Sequence, residues 1–230
     1  MNTVAPTRDW RAVARTIDHT LLKTEARPEQ IIQLCEEARR YGFFSVCVQP
    51  VYVELAASQL RDSGVKVATV CGFPQGTTLT SVKAYEAEQC AKLGAQEVDM
   101  VIHVGALKSG DHRSVALDIH VVAEATHKGG AILKVIIENC LLTRDEKIKA
   151  CELSLAAGAE FVKTSTGMST GGATTEDVAL MRSVVGDRAG VKAAGGIRTA
   201  ADALAMLDAG ASRLGASASV AIVKELGADV

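Results

Sequence analysis

The stretch "LAAGAEFVKTS", residues 155–165, closes one element and opens another. The run before it, "LTRDEKIKACELSLAAG" (142–158), carries Thr143 and Glu146 at capping-box spacing and stops at Gly158. A short apolar strand follows the glycine and ends on a lysine, Lys163. The same design recurs along the chain. "RPEQIIQLCEEARRYG" (27–42) has apolar residues at helical spacing, stops at Gly42 and leads into "FFSVCV". "RTAADALAMLDAG" (198–210) opens at Thr199, stops at Gly210 and leads into "SRLGAS", and "LGAQEVDMVIH" repeats the pattern after Gly94. The registers agree. Five residues beyond Gly42, Gly94, Gly129, Gly158 and Gly210 stand Cys47, Asp99, Lys134, Lys163 and Gly215.

This is a repeated helix–turn–strand unit with an unusual residue at one depth of each strand. Eight strands are expected, near residues 16–20, 44–48, 66–71, 97–103, 132–138, 161–165, 190–194 and 213–217. Strands that alternate with helices form a parallel sheet. Eight such units predict an α/β fold, a closed (β/α)8 TIM barrel, as a single domain over residues 1–230. An open doubly wound sheet is the topological alternative.

Side chains alternate across a strand. In "EVDMVIH", Val98, Met100 and Ile102 share one face, opposite Glu97, Asp99, Val101 and His103. In "AILKVIIE", Leu133, Val135 and Ile137 oppose Lys134, Ile136 and Glu138. The apolar sets suit the helix ring, which turns Asp99, Lys134, Lys163 and Lys192 into the barrel. Buried charges must pair or change protonation state. A structural salt-bridge cluster is the plainer explanation. Yet three lysines against one clear aspartate suit a different purpose, lowering the pKa of a lysine. Desolvation and neighbouring cations both push an ammonium toward the neutral amine, and only the amine is a nucleophile. A lysine so placed fits Schiff-base formation with a carbonyl.

Composition narrows the field further. The 230 residues are 48% hydrophobic, carry a net charge of −2 and show no basic cluster, so a nucleic-acid or membrane-surface role has no electrostatic footprint. The opening "MNTVAPTRDWRAVART" has no apolar core of a signal peptide. No apolar run approaches the roughly 18 residues of a spanning helix. Six scattered cysteines, with no C-x-x-C pair, read as reduced thiols of a cytoplasmic protein. The five histidines show no metal-ligand spacing, so no metal is expected.

Six segments then stand in chain order: "IDHTLLK" (17–23), "EVDMVI" (97–102), "LKVIIE" (133–138), "FVKTSTG" (161–167), "VKAAGGIR" (191–198) and "RLGAS" (213–217). Together they resemble the deoxyribose-phosphate aldolase family over nearly the whole chain. That resemblance implies a class I aldolase on a (β/α)8 barrel. It would reversibly split 2-deoxy-D-ribose 5-phosphate into D-glyceraldehyde 3-phosphate and acetaldehyde, without a cofactor. It implies Lys163 as the Schiff-base residue, Lys192 as the second lysine that depresses its pKa, and Asp99 as the proton donor and acceptor. Asp18, Thr20, Cys47, Lys134 and Thr166 match substrate-binding positions. Gly167, Gly195, Gly196, Gly215 and Ser217 can bring backbone N–H groups to a phosphate, partly at a helix N-terminus after "GASAS". The expected partners are small sugar phosphates and aldehydes, and the expected assembly is a homo-oligomer, dimer or tetramer.

The chain also departs from the family pattern. His103 stands where many relatives have asparagine, Asn139 where they often have threonine, and Ala218 where some have a second serine. The chain ends "ELGADV", without the C-terminal tyrosine of some relatives. His103 reads as a hydrogen-bonding residue at the entry of a loop. The rival functions are a non-catalytic sugar-phosphate-binding barrel and a different lysine-dependent aldolase.

Overall fold

The glycine-to-strand register seen in the sequence closes into a ring. The structure is a computed structural model that describes residues 9–229, so residues 1–8 and 230 of the expected domain lie outside the described residues. The strands are β1 (Ile17–Leu21), β2 (Ser45–Val48), β3 (Lys66–Cys71), β4 (Glu97–Val101), β5 (Ile132–Ile136), β6 (Phe161–Lys163), β7 (Gly190–Ala194) and β8 (Arg213–Ala216). All pair in parallel in chain order, and β8 pairs back onto β1. The barrel is closed, so the open doubly wound alternative is excluded.

The helices run outside it. They are α1 (Trp10–Ala14), α2 (Pro28–Tyr41), α3 (Val53–Gln59), α4 (Thr80–Lys92), α5 (Val104–Lys108), α6 (His112–Lys128), α7 (Arg144–Ala156), α8 (Thr175–Val185), α9 (Ala200–Asp208) and α10 (Ser219–Glu225). The expected stops hold for physical reasons. Gly42 ends α2 in the left-handed region (φ 67°), where a residue with a Cβ is disfavoured. Thr143 and Glu146 cap α7 reciprocally, and Thr199 caps α9 with Asp202.

Parity divides the apolar residues as expected. Val98, Met100, Leu133, Val135, Val162 and Val191 are buried in one large cluster between strands and helices. Each such side chain removed from water contributes roughly 1.5–3 kcal/mol. A second, small cluster of Leu22, Cys47, Ala68 and Val70, with Phe73 packed on it, is separate from the first. Residues in register with one another bring the ionisable positions together: Asp99 beside Lys134, and Lys163 beside Lys192.

Several strands end earlier than expected. β4 stops at Val101 rather than residue 103, β5 at Ile136 rather than 138, and β6 at Lys163 rather than 165. At β6 the side chain of Thr164 enters the pairing: its Oγ1 donates to the Ala194 carbonyl and accepts from the Ala194 N–H, both at 3.1 Å. The chain then turns away from the ladder. Among the described residues no helix is long and apolar enough to cross a membrane.

Candidate active site

Four strands deliver the central cluster. β4 supplies Asp99, β5 Lys134, β6 Lys163 and β7 Lys192, all pointing inward and all essentially sealed from solvent. Asp99 is the hub. Its Oδ1 accepts from the Lys134 Nζ at 2.6 Å. Its Oδ2 accepts from the Lys163 Nζ at 2.8 Å and from the Lys192 Nζ at 2.7 Å. The two lysines therefore share one carboxylate oxygen.

The sequence count of three lysines against one aspartate needs correction. Asp18 on β1 pairs with Lys192, and its Oδ1 accepts from Arg213 Nη1 and Ser45 Oγ at 2.8 and 2.7 Å. Glu97 pairs with Lys134 and Arg213, each at 2.8 Å. The guanidinium carbon of Arg213 also lies over the Phe44 ring, 3.4 Å from its centre. The network holds four cationic side chains, Lys134, Lys163, Lys192 and Arg213, and three carboxylates, Asp18, Glu97 and Asp99. It balances when one lysine is neutral.

The environment selects which one. Burial pushes the Lys163 amine below the ordinary lysine value and the Lys192 ammonium pushes the same way, with Asp99 opposing both. For Lys192 burial acts downward too, but the carboxylates of Asp18 and Asp99 outweigh it and raise its pKa. Lys134 is raised in the same manner: burial is outweighed by Asp99 and Glu97. On Asp99 burial acts upward, and three lysines override it to hold the carboxyl well below the usual carboxylate range. Asp18 is likewise lowered, by Lys192, Lys134 and Arg213 against the effect of burial. Lys163 is thus the proton-poor lysine of the three.

Lys163 is also the one that faces open space. A cavity of about 270 Å³ opens at the carboxyl ends of β1, β6, β7 and β8, and Lys163 lines it together with Thr20 and Thr166. Gly167, Gly195, Gly196, Gly215 and Ser217 line its walls. Two of these glycines sit where an added Cβ would be crowded. A Cβ on Gly215 would come 3.2 Å from Cε of Lys192, and one on Gly195 would come 3.0 Å from the Gly172 backbone at an unfavourable φ of 86°. Asp18, Cys47 and Lys134 are fully buried and do not line this cavity. Burial pushes the Cys47 thiol up, so it is protonated beside the lysines.

The remaining expectations find their places. His103 caps α5, its Nδ1 accepting from the Ala106 N–H at 3.0 Å. Ala218 is the N-cap of α10 and offers no side-chain cap. Lys23 and Arg198, passed over in the sequence, stand at the cavity mouth. Among the described residues no group of three or more His, Cys, Asp or Glu side chains is arranged to hold a metal ion.

Fold and site together define a (β/α)8-barrel enzyme whose chemistry is gathered at the carboxyl ends of its strands. A family model described as DeoC/LacD family aldolase matches residues 12–227, and the chain belongs to that family. The deoxyribose-phosphate aldolase of Bacillus mycoides (strain KBAB4) is 58% identical over 211 residues, covering 92% of this chain and 94% of its own length. That of Bacillus cytotoxicus is 57% identical over the same shares. A solved structure described as a tetrameric deoxyribose phosphate aldolase from Aeropyrum pernix superposes with a TM-score of 0.89 at 34% identity, covering 96% of this chain and 93% of its own.

Proposed function

We propose that the protein reversibly cleaves 2-deoxy-D-ribose 5-phosphate to D-glyceraldehyde 3-phosphate and acetaldehyde, with Lys163 as the Schiff-base residue. The observation that carries this reading is the charge balance of the buried network. It closes when Lys163 is neutral, and Lys163 is the lysine that reaches the cavity.

The neutral Lys163 amine attacks C1 of the open-chain sugar, and loss of water leaves an iminium. Lys192, held as an ammonium, donates to the departing hydroxyl. The iminium then carries the positive charge that Lys192 has given up, and the fixed Asp99 carboxylate stabilises it. Electrons of the C2–C3 bond flow into the iminium as the C3 hydroxyl loses its proton, and D-glyceraldehyde 3-phosphate leaves. The enamine carbon C2 takes up a proton, and water hydrolyses the resulting iminium to free acetaldehyde and Lys163. Asp99 is the group that contacts both nitrogens, and proton transfer over its Oδ2, directly or through a water, fits that position. Asp18 and Lys134 act on this chemistry by holding Lys192 and Asp99 in their charge states, and Cys47 lies beside them.

The backbone N–H groups of the loops bearing Gly167, Gly195, Gly196, Gly215 and Ser217, with Arg198 and Lys23 at the mouth, form the phosphate end of the cavity in this reading. We further propose one domain over residues 1–230, a cytoplasmic location and a homo-oligomer, dimer or tetramer. Exposed Leu79, Val82 and Tyr85 support the last of these. The test is covalent trapping joined to turnover. Borohydride must reduce an acetaldehyde imine on the protein, and the protein must release acetaldehyde from the sugar phosphate. Binding of the sugar phosphate without either would point to the non-catalytic barrel.

A further inference from the structure

Glu138 lies outside the charge network, yet its backbone and its carboxylate are both unusual. It follows β5 in the left-handed region, φ 55° and ψ 64°, where a residue with a Cβ is disfavoured. Strain of this kind persists only where the surroundings enforce it, and it gathers at functional sites. The side chain is 3% exposed, and its carboxylate is spent on one neighbour. Oε1 accepts from the Thr166 N–H at 3.2 Å and Oε2 from the Thr166 hydroxyl at 2.5 Å. The Thr166 oxygen in turn accepts from the Met168 N–H at 3.0 Å.

The place of this clamp matters. Lys163 and Thr164 are held by the sheet without it: the Ile137 N–H donates to the Lys163 carbonyl, Asn139 N–H to the Thr164 carbonyl, and Thr164 N–H to the Lys192 carbonyl, at 2.9–3.0 Å. Beyond Thr164 the ladder stops. Among the described residues, the hydrogen bonds that tie Ser165–Met168 to the strands beside them are the two to Glu138. This turn forms one wall of the cavity, and a Cβ added at Gly167 would stand 3.8 Å from the Gly195 Cα.

We propose that Glu138 is a positioning residue that sets the Thr166–Met168 turn, and through it the part of the cavity that grips the sugar phosphate beyond the reacting carbons. The proposal rests on the aldolase reading above. It separates two properties that a general loss of folding would move together. The amine of Lys163 stays in place without the clamp, whereas the wall that meets the far end of the substrate does not. Acetaldehyde is too short to reach that wall. The 2-deoxyribose 5-phosphate molecule spans it.

The test uses Glu138→Gly and Glu138→Gln in the full-length protein. Glycine removes the carboxylate and at the same time relieves the left-handed backbone, so a kinetic defect cannot be assigned to added strain. Two hydrogen bonds to a charged group are lost, so KM for the sugar phosphate is expected to rise on the order of tenfold to a hundredfold. Borohydride trapping of the acetaldehyde imine should stay within about twofold of wild type. Glu138→Gln keeps the length and one acceptor, and its KM should lie between wild type and the glycine variant. It carries the test alone if Glu138→Gly does not fold. Wild-type KM in the soluble variants, or loss of imine trapping in step with the rise in KM, overturns the proposal. Imine trapping by the wild-type protein is the separate control on the aldolase reading, and its failure there would strike that reading instead.

Discussion

Replacing Lys192 by methionine should turn Lys163 from an amine into an ammonium at neutral pH. The two nitrogens meet on one oxygen of Asp99, at 2.8 and 2.7 Å, and so lie within about 5.5 Å of each other. Two unit charges at about 5 Å, in an effective dielectric of about 20, repel by roughly 3 kcal/mol. That is about two pK units on Lys163. The sign is fixed by the network. Wild type has Lys134, Lys192 and Arg213 against Asp18, Glu97 and Asp99, and a neutral Lys163 keeps the balance. Without Lys192 a protonated Lys163 restores it. The pKa of Lys163, lowered in the wild type by burial and by Lys192, therefore moves back up. The assay is the initial rate of borohydride trapping with acetaldehyde as a function of pH. In wild type the acid limb should lie below the ordinary lysine range. In Lys192→Met it should move up by about two pH units, with roughly a hundredfold slower trapping on the limb and a high-pH plateau that stays below wild type because the Lys192 proton is missing. Lys192→Arg, which keeps the charge, should leave the limb near its wild-type place. A limb that does not move in Lys192→Met, or that moves down, would refute the electrostatic argument.

Two further outcomes follow from the same geometry. Asp99→Asn removes the carboxylate that opposes the fall in the Lys163 pKa, so imine trapping should persist with its acid limb at lower pH. Turnover of the sugar phosphate should nevertheless drop on the order of 10² to 10⁴, the usual size of a general acid–base effect, and wild-type turnover would remove Asp99 from proton transfer. Ala218→Ser adds a hydroxyl at the uncapped start of α10, beside Ser217. It should raise kcat/KM for the phosphorylated sugar more than for free deoxyribose, compared at one ionic strength, and an equal gain for both would move the phosphate elsewhere.

The barrel was legible because its register is local. A glycine stop followed five residues later by an inward side chain needs no tertiary information, and Cys47, Asp99, Lys134, Lys163 and Gly215 could be aligned by counting. Lys192 could be read as inward by alternation within its own strand. What joins these residues across the barrel was not legible. Arg213 sits at the first position of β8, where the sequence shows only the start of an apolar strand, and its reach to Asp18 and Glu97 exists only once β8 closes on β1. Glu97 was visible on the inward face but had no visible partner. The counter-charges were therefore undercounted, and the network looked less balanced than it is. Glu138 escaped for a different reason. Nothing in "VIIENC" signals a left-handed backbone at a glutamate, because turn propensity favours Gly, Asn or Asp there. The end of β6 was misread because the Thr164 side chain takes over from the ladder there.

The central claim is that one lysine, Lys163, is the neutral amine that bonds the carbonyl substrate. Peptide-mapping mass spectrometry after borohydride reduction in the presence of acetaldehyde tests it most directly. One ethyl group on Lys163, with Lys134 and Lys192 unmodified, is the predicted result. An ethyl group on Lys134 or Lys192, or none on any of the three while the protein turns over the sugar phosphate, would contradict it.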